Sequence, residues 1–273
     1  MIPNSHPEYI LRDIATRDDA DIDLAAGALA LAALQRPCVE TGWYKAHIQQ
    51  LSDEVNNALA RGEDLKGAIN QVIFRSHGYT GDTLTYDDIQ NANLMRVIDR
   101  KKGLPVALGI LLLQTARSCG YSADGLNFPG HFLIRMGQGR ERKIVDPFNG
   151  GVERTALDLR DLLKVTIGLD AELVPEHYEA AKNRDILIRL QTNIKTRHER
   201  AGRFDEAIRV VDSMLLFAPG SPFLWRELGV LQSRTGNYGA AIEAFRALFE
   251  HAPSEAMQQE AASAIQKLKR FLN

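Results

Sequence analysis

A chain of 273 residues can form one large domain or two modest ones, each with a real core. Hydrophobic residues make up 45% and charged residues 25%, as in a globular protein, and no apolar run approaches the roughly 20 residues needed to span a bilayer. A net charge of −2 argues against a general nucleic-acid binder.

The charge is uneven. Residues 181–273 hold 14 Lys and Arg against 10 Asp and Glu, which leaves −6 for residues 1–180. The cationic residues concentrate between Lys182 and Arg209 with acids interspersed, the pattern of a solvated helix surface or a domain-contact face. Met1 to Arg12 has neither an apolar nor a basic stretch of the secretory kind. Cys38 and Cys119 make neither a disulfide framework nor a metal-ligand spacing, so a reducing, cytoplasmic setting is expected.

In chain order, Ala20–Leu34 reads as a helix behind an acidic start, followed by helices over Trp43–Ala60 and Leu65–His77, with Gly62 and Gly78 as punctuation. Gly78–Asp82 reads as a loop. Further helices are expected over Asp87–Arg100 and Pro105–Cys119, the latter with Pro in its first turn and Gly120 past its end.

After Gly120 the pattern turns to strands. Asp124–Asn127 is a short candidate, and Phe132, Ile134 and Met136 alternate with other residues before a run at Lys143–Val145. Gly137-Gln138-Gly139-Arg140 between them suits a four-residue hairpin loop. Pairing Met136 with Glu141 sets His131 directly opposite Asp146, both on one face, and a slip of two residues would leave them diagonal but still on one face. A carboxylate facing an imidazole can fix its tautomer and free the other nitrogen as a general base, or can simply tie the hairpin together.

The C-terminal third repeats. An offset of 34 aligns Gly202 with Gly236, Phe204 with Tyr238, Ala207 with Ala241, Ile208 with Ile242 and Pro219 with Pro253. Glycine suits the left-handed turn between two helices, the alanines allow close helix approach, and the prolines stop the second helix of each hairpin. Trp225, Leu228, Gly229, Ala241, Phe245 and Pro253 match the tetratricopeptide pattern position by position. The preceding unit is degenerate, with Gln191, Ile194 and Lys195 where Trp, Leu and Gly belong. Ser254 reads as the N-cap of a terminal helix over residues 255–272. So short an array is expected to lean on the N-terminal domain.

Three segments, Arg100-Lys-Lys-Gly103-Leu-Pro105-Val-Ala-Leu108, Phe128-Pro129-Gly130-His131-Phe132-Leu and Val145-Asp146-Pro147-Phe148-Asn149-Gly150-Gly151, resemble the SirB-type family of bacterial transglutaminase-like proteins. The motifs cover roughly residues 80–165, and the order of parts covers almost the whole chain. The resemblance implies an α+β fold: a helix-rich, papain-like core with a small antiparallel sheet, followed by all-α tetratricopeptide repeats. Expected domains are residues 1–180 and 181–273. It also implies a site of Cys at a helix start, His on one strand and Asp on the next.

His131 and Asp146 match the last two. The Cys position falls at Pro105, which has no nucleophile. Cys119 lies 14 residues on, about 21 Å along the same helix at 1.5 Å per residue, at the wrong end. Cys38 precedes the Trp43 helix, and only folding could bring it to His131. Phe128, Pro129, Gly130, Phe148 and Asn149 are candidates for lining a groove. No cofactor is expected: Gly137-Gln-Gly139 lacks the strand–loop–helix context of a phosphate loop, and His77, His131 and Asp146 contain no short-spaced metal-ligand pair. The expected function is a non-catalytic one, interaction with a protein or peptide partner. The alternative is a residual hydrolase or transferase using His131 and Asp146 with an unidentified nucleophile.

Overall fold

A computed structural model of the chain describes residues 6–139 and 141–272. Arg140 of the expected hairpin loop and the first five residues of the N-terminal segment lie outside the described residues. The chain divides into two compact units, one of residues 6–10 and 18–190, the other of residues 11–17 and 191–272.

In the first unit, α2 (Leu24–Leu34) starts where Asp23 accepts from the Ala26 N–H, following α1 (Pro7–Thr16) in the chain. Then come α3 (Gly42–Ala60) and α4 (Leu65–Ile69), the latter continuing as a π-helical stretch, Asn70–Ser76. Strand β1 (Thr80–Gly81) pairs in parallel with β2 (Lys102–Gly103) on either side of α5 (Leu94–Arg100). The helix expected over Asp87–Arg100 is thus broken: Asn93 leaves the helical conformation, and its side chain caps α5 by accepting from the Arg96 N–H.

Helix α6 (Pro105–Ser118) is the central element. Pro105 occupies its first turn, where a missing N–H costs nothing, and every residue from Val106 to Leu113 is buried. It packs against α2 and α3 and against the sheet of β3 (Ser122–Leu126) and β4 (Leu133–Gly137). A Cβ on Gly109 would meet the Phe132 ring, so helix and sheet approach as closely as glycine permits. The sheet continues antiparallel through β5 (Lys143–Asp146) and β6 (Val152–Glu153). Helix α7 (Ala156–Ile167) follows, started by a capping box between Thr155 and Asp158.

The hairpin register differs from the expected one. Met136 faces Lys143, not Glu141, and Ile134 faces Val145. Gly137 stays in β4 with φ of 131°, and the turn is closed by the Glu141 N–H donating to the Gln138 carbonyl, so the pairing is slipped by two residues. That shift moves His131 out of register with Asp146, and His131 lies before the first residue of β4.

Helix α8 (Asn183–Arg200) holds the boundary between the units at Leu190. In the second unit α9 (Phe204–Phe217), α10 (Pro222–Arg234) and α11 (Tyr238–His251) form the repeat, and α12 (Glu255–Lys269) ends it. Gly202 and Gly236 take positive φ of 69° and 78° in the turns, and α9 and α11 each stop two residues before Pro219 and Pro253. Ser254 caps α12 by accepting from the Met257 N–H. Ala241, Phe245, Leu248 and Ala261 form the buried core there, with Trp225 packed against it.

The degenerate unit has a physical account. Gly229 abuts Phe245, whose ring would lie 2.8 Å from an added Cβ. One repeat earlier the same pair of positions holds Lys195 and Val211, so no large ring stands opposite the longer side chain. Lys195, 6% exposed, spends its ammonium on Glu227 at 2.8 Å and Glu199 at 3.3 Å.

Candidate functional site

Three segments carry the candidate residues, and the first of them leads into α6. Arg100, in the last turn of α5, donates to Asp82 and to Asn91, and the Asn91 carbonyl accepts from the Leu104 N–H just before the helix. Asp82 also accepts from the Thr85 hydroxyl and N–H. These bonds, the Thr85 hydroxyl foremost and Arg100 among the rest, hold the carboxyl down at about 2. The first part of the Arg-Lys-Lys-Gly-Leu-Pro segment is therefore scaffolding for the helix start. Pro105 stands at that start with its ring in place of any nucleophile.

The second segment, Phe128 to Leu133, crosses toward β4. Phe128 is 2% exposed, packed with Leu126, Leu133, Leu159 and Leu163. Burial among these leucines makes Phe128 part of the core, with its ring facing His131 at 6.4 Å and His177 at 5.9 Å. Pro129 is half-buried and Gly130 exposed at a φ of 68° that favours glycine. His131 is half-buried, with its carbonyl accepting from Arg189 of α8 at 2.9 Å. Burial lowers its pKa, Asp146 opposes that effect, and Arg154 and Arg189 reinforce it. Its ring makes no hydrogen bond among the described residues.

The third segment is the turn after β5. Asp146, 3% exposed, accepts at Oδ1 from the Phe148 N–H at 3.0 Å and the Asn149 N–H at 3.2 Å. Its Oδ2 accepts from Asn149 Nδ2 at 2.8 Å and Arg154 Nη2 at 2.7 Å. Asp146 is thereby committed to its own turn and to Arg154; it reaches His131 through space and not through a hydrogen bond. Asn149, expected in a groove, is spent on Asp146. Phe148 packs on Gly81, where a Cβ would lie 2.6 Å from its ring, and meets Tyr86 edge-on at 5.7 Å. Gly81 pairs with Gly103, so that ring covers the strand leading to Pro105.

Neither cysteine stands at the start of α6. Cys119 is the C-cap of α6, hydrogen-bonded to the Ser52 carbonyl, and burial raises its pKa. Cys38 is exposed in the connection between α2 and α3. His77 pairs with Glu54 at 2.8 Å instead of joining His131, and no three His, Cys, Asp or Glu side chains gather as a metal site among the described residues. Arg154 and Arg189 were not legible as site residues, since neither belongs to a motif. The one signal near Arg154 is the Thr155-x-x-Asp158 capping box that fixes the chain just after it.

A family model described as the Transglutaminase-like superfamily matches residues 42–192, and one described as Tetratricopeptide repeat matches residues 194–270. A "UPF0162 protein" of Vibrio cholerae is 30% identical over 89% of this chain and 91% of its own length. A protein of the same description from Xylella fastidiosa is 28% identical over 89% of this chain and 88% of its own length. F-box only protein 21 of Homo sapiens is 27% identical over 54% of this chain and 22% of that protein. Helix α6 packed on a small antiparallel sheet agrees with these matches, and the chain belongs to the transglutaminase-like superfamily, with tetratricopeptide repeats following that domain.

Proposed function

We propose that this is a non-catalytic transglutaminase-like protein that acts by binding another protein or peptide, in a reducing, cytoplasmic setting. The observation that carries the proposal is Pro105 at the first position of α6, where the fold would need its nucleophile. The commitment of Asp146 to Arg154 supports it, because a base needs its orienting carboxylate. Tetratricopeptide repeats commonly mediate protein interactions, and the second unit supplies such a surface. Among the described residues no helix is long and apolar enough to cross a membrane. The narrower kinship to SirB-type proteins rests on the Pro-Gly-His-Phe and Asp-Pro-Phe-Asn-Gly-Gly segments.

Affinity capture on the full chain tests the proposal. A protein or peptide partner retained equally by wild type and by His131→Ala supports it. A chain that retains no partner but cleaves peptide amides in a His131-dependent way overturns it.

A further inference from the structure

A second polar cluster lies on the other side of the Arg-Lys-Lys segment. Lys101 ends α5 with φ of 57°, the one non-glycine residue at positive φ among the described residues. A side chain held there against local preference marks a position fixed by its surroundings. Its Nζ lies 3.0 Å from His47 Nε2 and 3.2 Å from the Tyr79 hydroxyl, and 4.5 Å from the centre of the Tyr79 ring. His47 and Tyr79 are themselves 2.8 Å apart, and both are buried. No carboxylate lies within ion-pair range of this ammonium among the described residues. Tyr44 and Arg36 take both oxygens of Asp99, two residues away. Glu54 of α3 is held by His77. Trp43, largely exposed, stacks on His47 at 5.4 Å and leaves a flat apolar face beside the cluster.

An amine so placed has neutral neighbours, an O–H donor and an aromatic wall, which is the equipment for reversible condensation with a carbonyl. We infer that Lys101 is a reactive amine site for small planar aldehydes or ketones, with Tyr79 and His47 at the reacting nitrogen and Trp43 as the wall. In the reaction neutral Nζ attacks the carbonyl carbon, and the π pair moves to oxygen. A proton passes from nitrogen to that oxygen to give the carbinolamine, whose oxygen the Tyr79 hydroxyl is placed to meet. A second proton, from solvent, lets the hydroxyl leave as water and gives the iminium. Burial opposes the charged amine, against a smaller opposing effect of Asp99, and lowers the Lys101 pKa. His47 is held neutral, down at about 4, by burial first and then by Lys101 and His77. Both directions favour the nucleophilic form at neutral pH.

The test treats the full chain with benzaldehyde and cyanoborohydride, which traps the imine, and quantifies each labelled lysine by peptide mass spectrometry across pH. Lys45, exposed on α3, is the internal reference. The expected result is a Lys101 labelling profile displaced to lower pH than that of Lys45, with Lys101 labelled faster at pH 7 and slowed in Tyr79→Phe. The Lys101→Arg variant keeps the charge and should lose that adduct alone. Labelling of Lys101 no faster than Lys45 at any pH overturns the inference, and this comparison in the unaltered chain does not depend on any variant folding.

Discussion

Arg154 grips Asp146 at 2.7 Å, so the carboxylate that pairs with His131 in the expected hairpin is neutralised by an arginine from the connection after β6. Asp146 is almost fully buried, and its side chain also closes the turn to Phe148 and Asn149. Arg154→Ala should therefore leave a buried charge without its counter-ion and cost about 3 kcal/mol. Asp146→Asn keeps an acceptor for the turn and should cost less, about 1 kcal/mol. Urea denaturation of both variants measures this; an Arg154→Ala midpoint equal to wild type would mean the turn holds Asp146 without the arginine.

Gly109 is the contact point between α6 and the sheet. Alanine there gains up to about 1 kcal/mol of helix propensity. The added methyl would meet Phe132 Cδ1 at 2.7 Å, and Phe132 is itself 2% exposed with nowhere to go. Overpacking of this kind costs about 1–3 kcal/mol, so Gly109→Ala should lower the thermal midpoint despite its better propensity. An unchanged or raised midpoint would show that ring and helix separate freely.

Equivalent positions in the two repeats should fail for opposite reasons. Gly229→Ala pushes against Phe245 and should cost about 1–3 kcal/mol by overpacking. Lys195→Gly removes a buried stem and the ion pair to Glu227, and adds helix-interior glycine at about 1 kcal/mol. Both should lower stability, whereas a uniform glycine requirement at this position would make Lys195→Gly stabilising. Chemical denaturation of the two variants decides between these.

Stability should fall in two acid windows. His47 has its folded pKa depressed to about 4 from 6.5, so the unfolded chain takes up its proton first. Stability is then full above pH 6.5 and drains away as pH falls toward 4, by a total on the order of 3 kcal/mol. Asp82, held at about 2 against 3.8, adds a second loss on the order of 2 kcal/mol as pH falls through that lower range. Denaturation midpoints measured from pH 7 to pH 4 should flatten in His47→Gln; an unaltered slope would locate the upper window elsewhere.

Legibility followed local signals. α6 and the repeat helices were readable because Pro105, Gly202, Gly236, Pro219 and Pro253 punctuate strong apolar patterns. α7 was missed although Thr155 and Asp158 mark its start, because its exposed Leu157, Val165 and Ile167 blur the buried stripe. The hairpin register was not readable: Gly137 and Gly139 both tolerate the turn, and loop chemistry alone does not choose which of them opens it. A two-residue slip in the pairing sufficed to take His131 out of register with Asp146. The partners of Asp146 and Lys101 were hidden for another reason. Arg154, His47 and Tyr79 come from separate elements, and only tertiary packing brings them to those groups.

The central claim is that the transglutaminase-like site has no nucleophile. Kinetics of an electrophilic thiol probe on the native full chain, read at Cys38 and Cys119 separately, test it most directly. Both cysteines should react at rates unchanged by His131→Ala, with exposed Cys38 ahead of Cys119, whose thiol is buried and raised in pKa. A cysteine whose labelling is fast at neutral pH and collapses in a folded His131→Ala variant would contradict the claim and restore a catalytic thiol to the site.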